Sequence, residues 1–136
     1  MTYEVRGCQA RLAMASVVGL GGIFVKARDP DALRAWYRDV LGLEIQVWGG
    51  AQLWNSPQTY GVWSAFAWGS TYFEPSQHTF MINLRVDDLD GMLAQLRERG
   101  AAVQDRREDT DDGKFGYVLD PEGTLLELWQ PPAQRT

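Results

Sequence analysis

The segment IFVKARDPDALRAWY, residues 23–37, recurs in a diverged form as INLRVDDLDGMLAQL, residues 82–96. In both segments apolar residues first alternate, as in a half-buried strand, and then recur at the spacing of an amphipathic helix. An acidic residue, Asp29 or Asp88, stands where the period changes. A repeat of this length predicts that the chain folds as two copies of one supersecondary unit.

Each copy predicts a helix with clear start and stop signals. The first helix is expected over residues 30–41, with Asp29 as its N-cap and Gly42 at its end. The second is expected over residues 89–99 and ends before Gly100. The apolar residues that should face the sheet are Leu33, Trp36, Tyr37, Val40 and Leu41 in the first helix, and Leu89, Met92, Leu93 and Leu96 in the second.

Strand-like segments follow each predicted helix, separated by turn residues. They are EIQVW (44–48), AQLW (51–54) and YGVWSAFAW (60–68) in the first half, and AAVQDRR (101–107), KFGYVL (114–119) and TLLELWQ (124–130) in the second. We therefore predict an α+β fold of two β-α-β-β-β modules, at about residues 18–72 and 78–132, that form a curved eight-stranded mixed sheet. The concave face of this sheet, here called the cup, is available to a ligand.

Length and composition restrict the remaining possibilities. The chain has 136 residues, which fits one domain over residues 18–132 preceded by an N-terminal extension, residues 1–17. Its net charge of −5 argues against a nucleic-acid partner, because phosphates require a basic surface. A single cysteine, Cys8, is expected of a cytoplasmic protein. The apolar stretch at residues 12–25 is interrupted by small residues, so we expect no membrane association.

Aromatic residues concentrate in one irregular part of the chain. Four of the six tryptophans lie within residues 48–68, with Tyr60, Phe66, Tyr72 and Phe73 nearby. Such side chains dominate protein cores, and they also line ligand pockets. Both interpretations are open from the sequence.

Two motifs carry a resemblance to a known family. DPDALRAWYRDVLGLE (29–44) and DPEGTLLELWQPP (120–132) together resemble the vicinal oxygen chelate superfamily, which includes glyoxalase I, extradiol dioxygenases and bleomycin-resistance proteins. The resemblance covers about residues 18–132. It implies that a metal site would use His or Gln at the start of the first strand of each module, and Glu or a similar residue in the last strand.

Only one of these four positions holds a metal ligand of the expected kind. The resemblance places Gly22 and Met81 at the first-strand positions and Glu127 at the second closing position. The remaining position falls within residues 60–68, which contain no His, Asp, Glu, Gln or Cys. We therefore expect no metal and no cofactor. The single histidine, His78, is expected in a loop, and a site shared by His78 of two copies is the one other route to a metal.

Glu127 alternates with Leu126 and Leu128 and so shares a strand face with Trp129. In the cup it would act as a general base or as an anchor for a cation or hydroxyl. The alternative is a family remnant that is hydrogen-bonded to a neighbour. The full set of residues predicted to bind ligand is Trp54, Trp63, Phe66, Tyr72, Met81, Glu127 and Trp129.

Three functions are compatible with these residues. The first is metal-free binding of a small aromatic or cationic molecule in the cup. The second is a metal-independent isomerase or lyase that uses Glu127 as acid or base. The third is a metal-dependent glyoxalase or dioxygenase. The resemblance also implies a homodimer, because a single pair of modules leaves sheet edges and cup walls exposed.

Overall fold

Seven strands form one mixed sheet in the computed structural model, which describes residues 14–133. The elements in chain order are β1 (Val17–Ala27), α1 (Pro30–Asp39), β2 (Gly50–Trp54), β3 (Tyr60–Ala67), β4 (Phe80–Val86), α2 (Leu89–Glu98), β5 (Ala102–Thr110), β6 (Gly113–Leu119) and β7 (Leu125–Gln130). The strand order is β2-β3-β1-β4-β7-β6-β5. The first strands of the two sequence repeats, β1 and β4, therefore pair antiparallel in the middle of the sheet. The predicted α+β class is confirmed.

The eighth strand, predicted at residues 44–48, is not among the strands of the described residues. The chain turns there instead: Gly49 has a φ of 101°, and its N–H donates to the Gln46 carbonyl at 3.0 Å. Arg34 of α1 donates to the carbonyl oxygens of Gly49 and Ala65, at 3.0 and 2.6 Å. The backbone groups at this turn therefore bond to each other and to the Arg34 side chain. The described residues 44–48 form no hydrogen-bonded ladder with a neighbouring strand. The first half contributes three strands and the second four, so two equal β-α-β-β-β modules are not confirmed.

The second predicted helix is confirmed in its bounds and in its buried face. Asp88 caps α2 by accepting a hydrogen bond from the Gly91 N–H at 3.1 Å. Leu89, Met92 and Leu93 are buried against the sheet, where Val86, Val118 and Leu128 complete the helix-side core.

The first helix has the predicted N-cap but not the predicted burial. Asp29 accepts a hydrogen bond from the Ala32 N–H at 3.0 Å. No residue of α1 is buried, and Trp36 is 49% exposed. The helix contacts the sheet through Tyr37, whose ring stacks on Trp63 of β3 with 3.9 Å between centroids. Because this contact covers one turn only, most of the apolar stripe faces outward.

The opposite face of the sheet carries a second core. Side chains alternate along β4, so Met81 and Asn83 point away from the helices while Leu84 packs against the helix-side core. Phe24, Phe73, Met81, Tyr117 and Leu125 form this cup-side core. It supports the floor of the cavity described below.

The predicted N-terminal extension is only partly covered, since residues 1–13 lie outside the described residues. Within the described part, Ala15 exchanges two hydrogen bonds with the Gln95 side chain of α2, at 2.7 and 3.0 Å. β1 then begins at Val17. None of the helices in residues 14–133 has the length and hydropathy needed to cross a membrane.

Candidate functional site

A cavity of about 500 Å³ opens on the face of the sheet opposite the helices, where the sequence predicts the cup. Its walls are mainly aromatic. The aromatic residues that line it are Phe24, Trp48, Tyr60, Phe66, Tyr72, Phe115 and Trp129. Three contacts hold the Trp129 side chain in place. Its ring stacks on Phe115, and the ring centroid lies 4.5 Å from the Arg85 guanidinium carbon. Its indole N–H donates to the Asp112 carbonyl.

A polar row crosses the floor of the cup. Glu127 of β7 pairs in register with Asn83 of β4 on one side and with Tyr117 of β6 on the other. Residues directly opposite in neighbouring strands project from the same face, so the three side chains meet. Asn83 Nδ2 donates to Glu127 Oε1 at 2.7 Å, and Tyr117 Oη donates to Oε2 at 2.7 Å. Glu127 is 2% exposed.

A third donor to Glu127 comes from outside the sheet. Tyr72 lies in the segment between β3 and β4, and its ring stacks on Phe66 with 5.2 Å between centroids. This contact directs its hydroxyl to Glu127 Oε2 at 2.5 Å. The buried carboxylate therefore has three neutral hydrogen-bond donors, which lowers the cost of its burial.

The surroundings of Tyr72 and Tyr117 keep both hydroxyls protonated, so both act as hydrogen-bond donors. Burial raises the pKa of the Tyr72 and Tyr117 hydroxyls well above the ordinary value, and the neighbouring charge of Glu127 raises it further. The Arg106 guanidinium carbon lies 4.2 and 4.0 Å from the two ring centroids, and Arg106 also donates to the Tyr72 carbonyl. Both hydroxyls stay protonated across the physiological pH range.

A glycine makes room for this row. A Cβ atom at Gly21 would stand 1.9 Å from Asn83 Oδ1, so the Asn83 amide fills the space of a side chain at position 21. Gly21 lines the cavity, whereas a Cβ at Gly22 would meet the Val62 carbonyl oxygen at 2.4 Å. The pairing of β1 with β4 shifts register between Leu20 and Gly22. This bulge makes Gly21, and not the predicted Gly22, the cup-facing residue of the first strand.

Comparison with known proteins identifies the family of this chain. The model of the glyoxalase-like domain matches residues 22–129. The chain belongs to this family. No curated protein matches it in sequence.

Solved structures share the fold of this glyoxalase-like domain. Methylmalonyl-CoA epimerase from Mycobacterium tuberculosis is 22% identical, with a TM-score of 0.62, and the match covers 86% of this chain and 90% of that one. The Streptomyces coelicolor methylmalonyl-CoA epimerase in complex with 2-nitronate-propionyl-CoA is 20% identical, with a TM-score of 0.64 and coverage of 87% and 100%. A glyoxalase/bleomycin resistance protein/dioxygenase superfamily member from Vibrio splendidus 12B01 is 16% identical, with a TM-score of 0.55 and coverage of 86% and 99%.

The residues of this glyoxalase-like domain do not fit a bound metal ion. Within residues 14–133 no three His, Cys, Asp or Glu side chains converge on one point. Met81 is fully buried in the cup-side core, and the His78 ring contacts the Glu122 carbonyl in a loop at 2.9 Å. The groups that donate hydrogen bonds to Glu127 are the neutral side chains of Asn83, Tyr72 and Tyr117, none of which is a usual ligand of a divalent metal beside a carboxylate.

The structure brings together four of the residues predicted to bind ligand. Phe66, Tyr72, Glu127 and Trp129 line the cup. The other three lie elsewhere: Trp63 faces α1, Met81 lies beneath the floor, and Trp54 borders a separate depression with Asn55, Ser56 and Pro57. A ligand contact for any of these seven residues is still a prediction.

Sequence reasoning missed several polar and small residues of the cup. Asn83 and Gly21 were overlooked because the resemblance directs attention to Met81 and Gly22. One usable signal was present: Asn83 is an amide between Ile82 and Leu84 in a predicted buried strand. An uncharged polar residue in such a position usually has a specific partner.

Replacing Gly21 by Ala should displace the Asn83 amide and leave Glu127 Oε1 without its donor. We expect the free energy of unfolding in urea to fall by about 1–3 kcal/mol. In an Asn83→Ala background the same change should cost less, because the obstructing amide is gone and the contact with Trp129 Cε3 at 3.0 Å remains. Gly61→Ala is the control, since a Cβ there meets nothing closer than 3.7 Å. Equal costs in both backgrounds would contradict this account of Gly21.

Proposed function

We propose that this glyoxalase-like domain binds a small aromatic organic cation in the cup without using a metal. The observation that carries the proposal is Glu127, a buried carboxylate on the floor of an aromatic cavity. Among residues 14–133 it forms no ion pair, and no Lys, Arg or His is found among the residues that line the cup.

Electrostatics supports a cationic ligand. A buried charge is costly unless hydrogen bonds and an opposite charge compensate for it, and Glu127 has hydrogen bonds only. A carboxylate offers about four acceptor positions, of which three are used here, so one remains for a ligand.

The walls and the volume support a flat ligand of modest size. Aromatic faces attract cations through their quadrupoles, and the interaction is stronger when the cation is desolvated. Trp48 borders the cup and is 50% exposed, so it can cover a ligand stacked inside. The cavity volume of about 500 Å³ lies within the range of pockets for small molecules.

N-methylquinolinium and neutral quinoline provide a matched pair of probes, since they share one ring system and differ in charge. We expect N-methylquinolinium to quench tryptophan fluorescence and to bind about tenfold or more tightly than quinoline at neutral pH. Glu127→Gln should remove this preference while leaving quinoline binding unchanged. Glu122→Gln, which removes an exposed charge outside the cup, should behave like the parent chain. Binding of both probes with equal affinity would contradict the proposal.

A second candidate function is proton abstraction by Glu127, as in an isomerase or lyase. It is supported by the 2.5 Å hydrogen bond from Tyr72, which can carry a proton to or from the cup-facing side of the carboxylate. The solved relatives named above include epimerases, and they share the fold with this chain.

5-Nitrobenzisoxazole tests this second candidate, because it is a flat aromatic molecule whose ring opens to a coloured phenolate when a base removes its C–H proton. We expect the chain to accelerate this ring opening by about a hundredfold or more over buffer. Glu127→Gln should abolish the acceleration, whereas Glu122→Gln should not affect it. The same rate in the Glu127→Gln variant would exclude Glu127 as the base.

The exposed face of α1 supports self-association, and we propose a homodimer that covers it. Trp36 on α1, and Val40 and Leu41 directly after it, are 49%, 61% and 55% exposed, and large exposed apolar patches mark protein–protein contacts. A second copy of the same chain is the simplest cover, because isologous pairing buries the same patch on both partners.

A double substitution on this face tests the homodimer. Trp36→Glu with Val40→Glu should convert a dimer to a monomer in sedimentation velocity experiments, because the charges would be buried without partners. Arg38→Glu changes the net charge by the same amount and should remain dimeric, because Arg38 is two residues from Trp36 and therefore about 200° away around the helix. A parent chain that sediments as a monomer would refute the proposal.

A further inference from the structure

The hydroxyl of Tyr117 touches two carboxylates at once. Its oxygen lies 2.7 Å from Glu127 Oε2 and 3.0 Å from Glu108 Oε2. Tyrosine carries a single hydroxyl proton, so it donates to one carboxylate at a time. Tyr117 therefore has two alternative hydrogen-bonded states.

Tyr72 extends the same network. Its hydroxyl lies 2.5 Å from Glu127 Oε2 and 3.0 Å from the Tyr117 hydroxyl. The two tyrosines thus take part in four short oxygen–oxygen contacts, but they supply only two protons. When both hydroxyls donate to Glu127, the contact between Tyr117 and Glu108 has no proton. A third proton arriving at Glu127 lets Tyr117 turn its own proton toward Glu108.

The two carboxylates lie at opposite ends of a path through the wall of the cup. Glu127 is 2% exposed and lines the cavity. Glu108 is on β5, outside the cup lining, and its side chain is 44% exposed. Tyr117 is fully buried between them. The chain Glu127–Tyr117–Glu108 therefore connects the cup floor with solvent.

Charged and polar groups of β4 and β5 flank this path. Arg106, also on β5, has Nη2 3.9 Å from Glu108 Oε1 and stacks over the rings of Tyr72 and Tyr117. From β4 the Asn83 amide donates to Glu127 Oε1. Burial raises the pKa of both tyrosines, so a free tyrosinate is disfavoured. Tyr117 must therefore accept one proton in the same step in which it gives up another.

We propose that Glu127, Tyr117 and Glu108 form a proton relay that carries protons between the cup and solvent. The ligand gives its proton to the Tyr72 oxygen while the Tyr72 hydroxyl proton moves to Glu127 Oε2, because the two tyrosines occupy both acceptor positions of Oε2. As this proton passes from Glu127 Oε2 to the Tyr117 oxygen, the original Tyr117 proton moves to Glu108 Oε2, and Glu108 releases it to water. One O–H bond forms and one breaks at Tyr117, and no electrons are exchanged. The relay rests on the second candidate function, for which it supplies the exit of the abstracted proton.

Exchange of the Tyr117 hydroxyl proton with solvent measures the outer half of the relay without any ligand. The parent chain is labelled with [ζ-¹³C]tyrosine and observed in mixed H₂O and D₂O, where the ¹³C shift reports whether the oxygen carries H or D. Tyr117→Phe assigns the signal. We expect Glu108→Gln to slow exchange at Tyr117 about tenfold or more, because a general base is lost. Asp109→Asn removes a neighbouring exposed carboxylate that pairs with Arg107 instead, and it should not change the rate. An equal rate in the Glu108→Gln variant and the parent would refute the relay.

Turnover of 5-nitrobenzisoxazole measures the whole relay. At low buffer concentration Glu108→Gln should lower kcat several-fold with little change in KM, and added imidazole should restore kcat by accepting the proton directly. A loss of kcat that imidazole does not restore would argue against the relay. The relay and the second candidate function fail in different experiments. If Glu127→Gln abolishes turnover while hydroxyl exchange is insensitive to Glu108, the base is right and the relay is wrong.

Discussion

The burial of the Glu127 carboxylate determines which side chains must lie on the floor of the cup. Glu127 is almost fully removed from water, and a carboxylate in that position needs donors within hydrogen-bond distance. The sheet supplies two, since Asn83 and Tyr117 occupy the register positions on either side of Glu127. The third, Tyr72, comes from a segment that aromatic stacking holds against the sheet. Loss of any of the three would leave a buried charge with fewer donors than its burial requires.

The need of Glu127 for hydrogen-bond donors also constrains the first strand, β1. Asn83 can reach Glu127 only because position 21 has no side chain and β1 bulges beside it. The space that a side chain at position 21 would occupy is filled by the Asn83 amide. The cup presents a hydrogen-bonded carboxylate within aromatic walls, and the proposed binding of an organic cation rests on this feature.

Prediction from the sequence succeeded where the signal is local. The N-cap residues Asp29 and Asp88 were assigned from residue type and position, and each accepts its expected backbone hydrogen bond. The buried face of α2 followed from apolar spacing. The same spacing in α1 predicts burial that the structure does not show, because periodicity indicates an apolar face but not what covers it. The prediction of an eighth strand failed for a related reason, since Arg34 binds the Gly49 carbonyl of the turn and the Ala65 carbonyl of β3 from a distant point in the chain.

The sequence by itself determined the repeat, the class of fold, the position of both helices and the place of Glu127 in the last strand, because propensity, capping and alternation act over a few residues. Only the tertiary structure decided which glycine faces the cup, which side chains hold Glu127 and which tryptophans line the cavity. These depend on strand register, where a one-residue bulge transfers a side chain from one face to the other. A single sequence carries no direct record of register between strands that are 44 residues apart, such as those of Asn83 and Glu127.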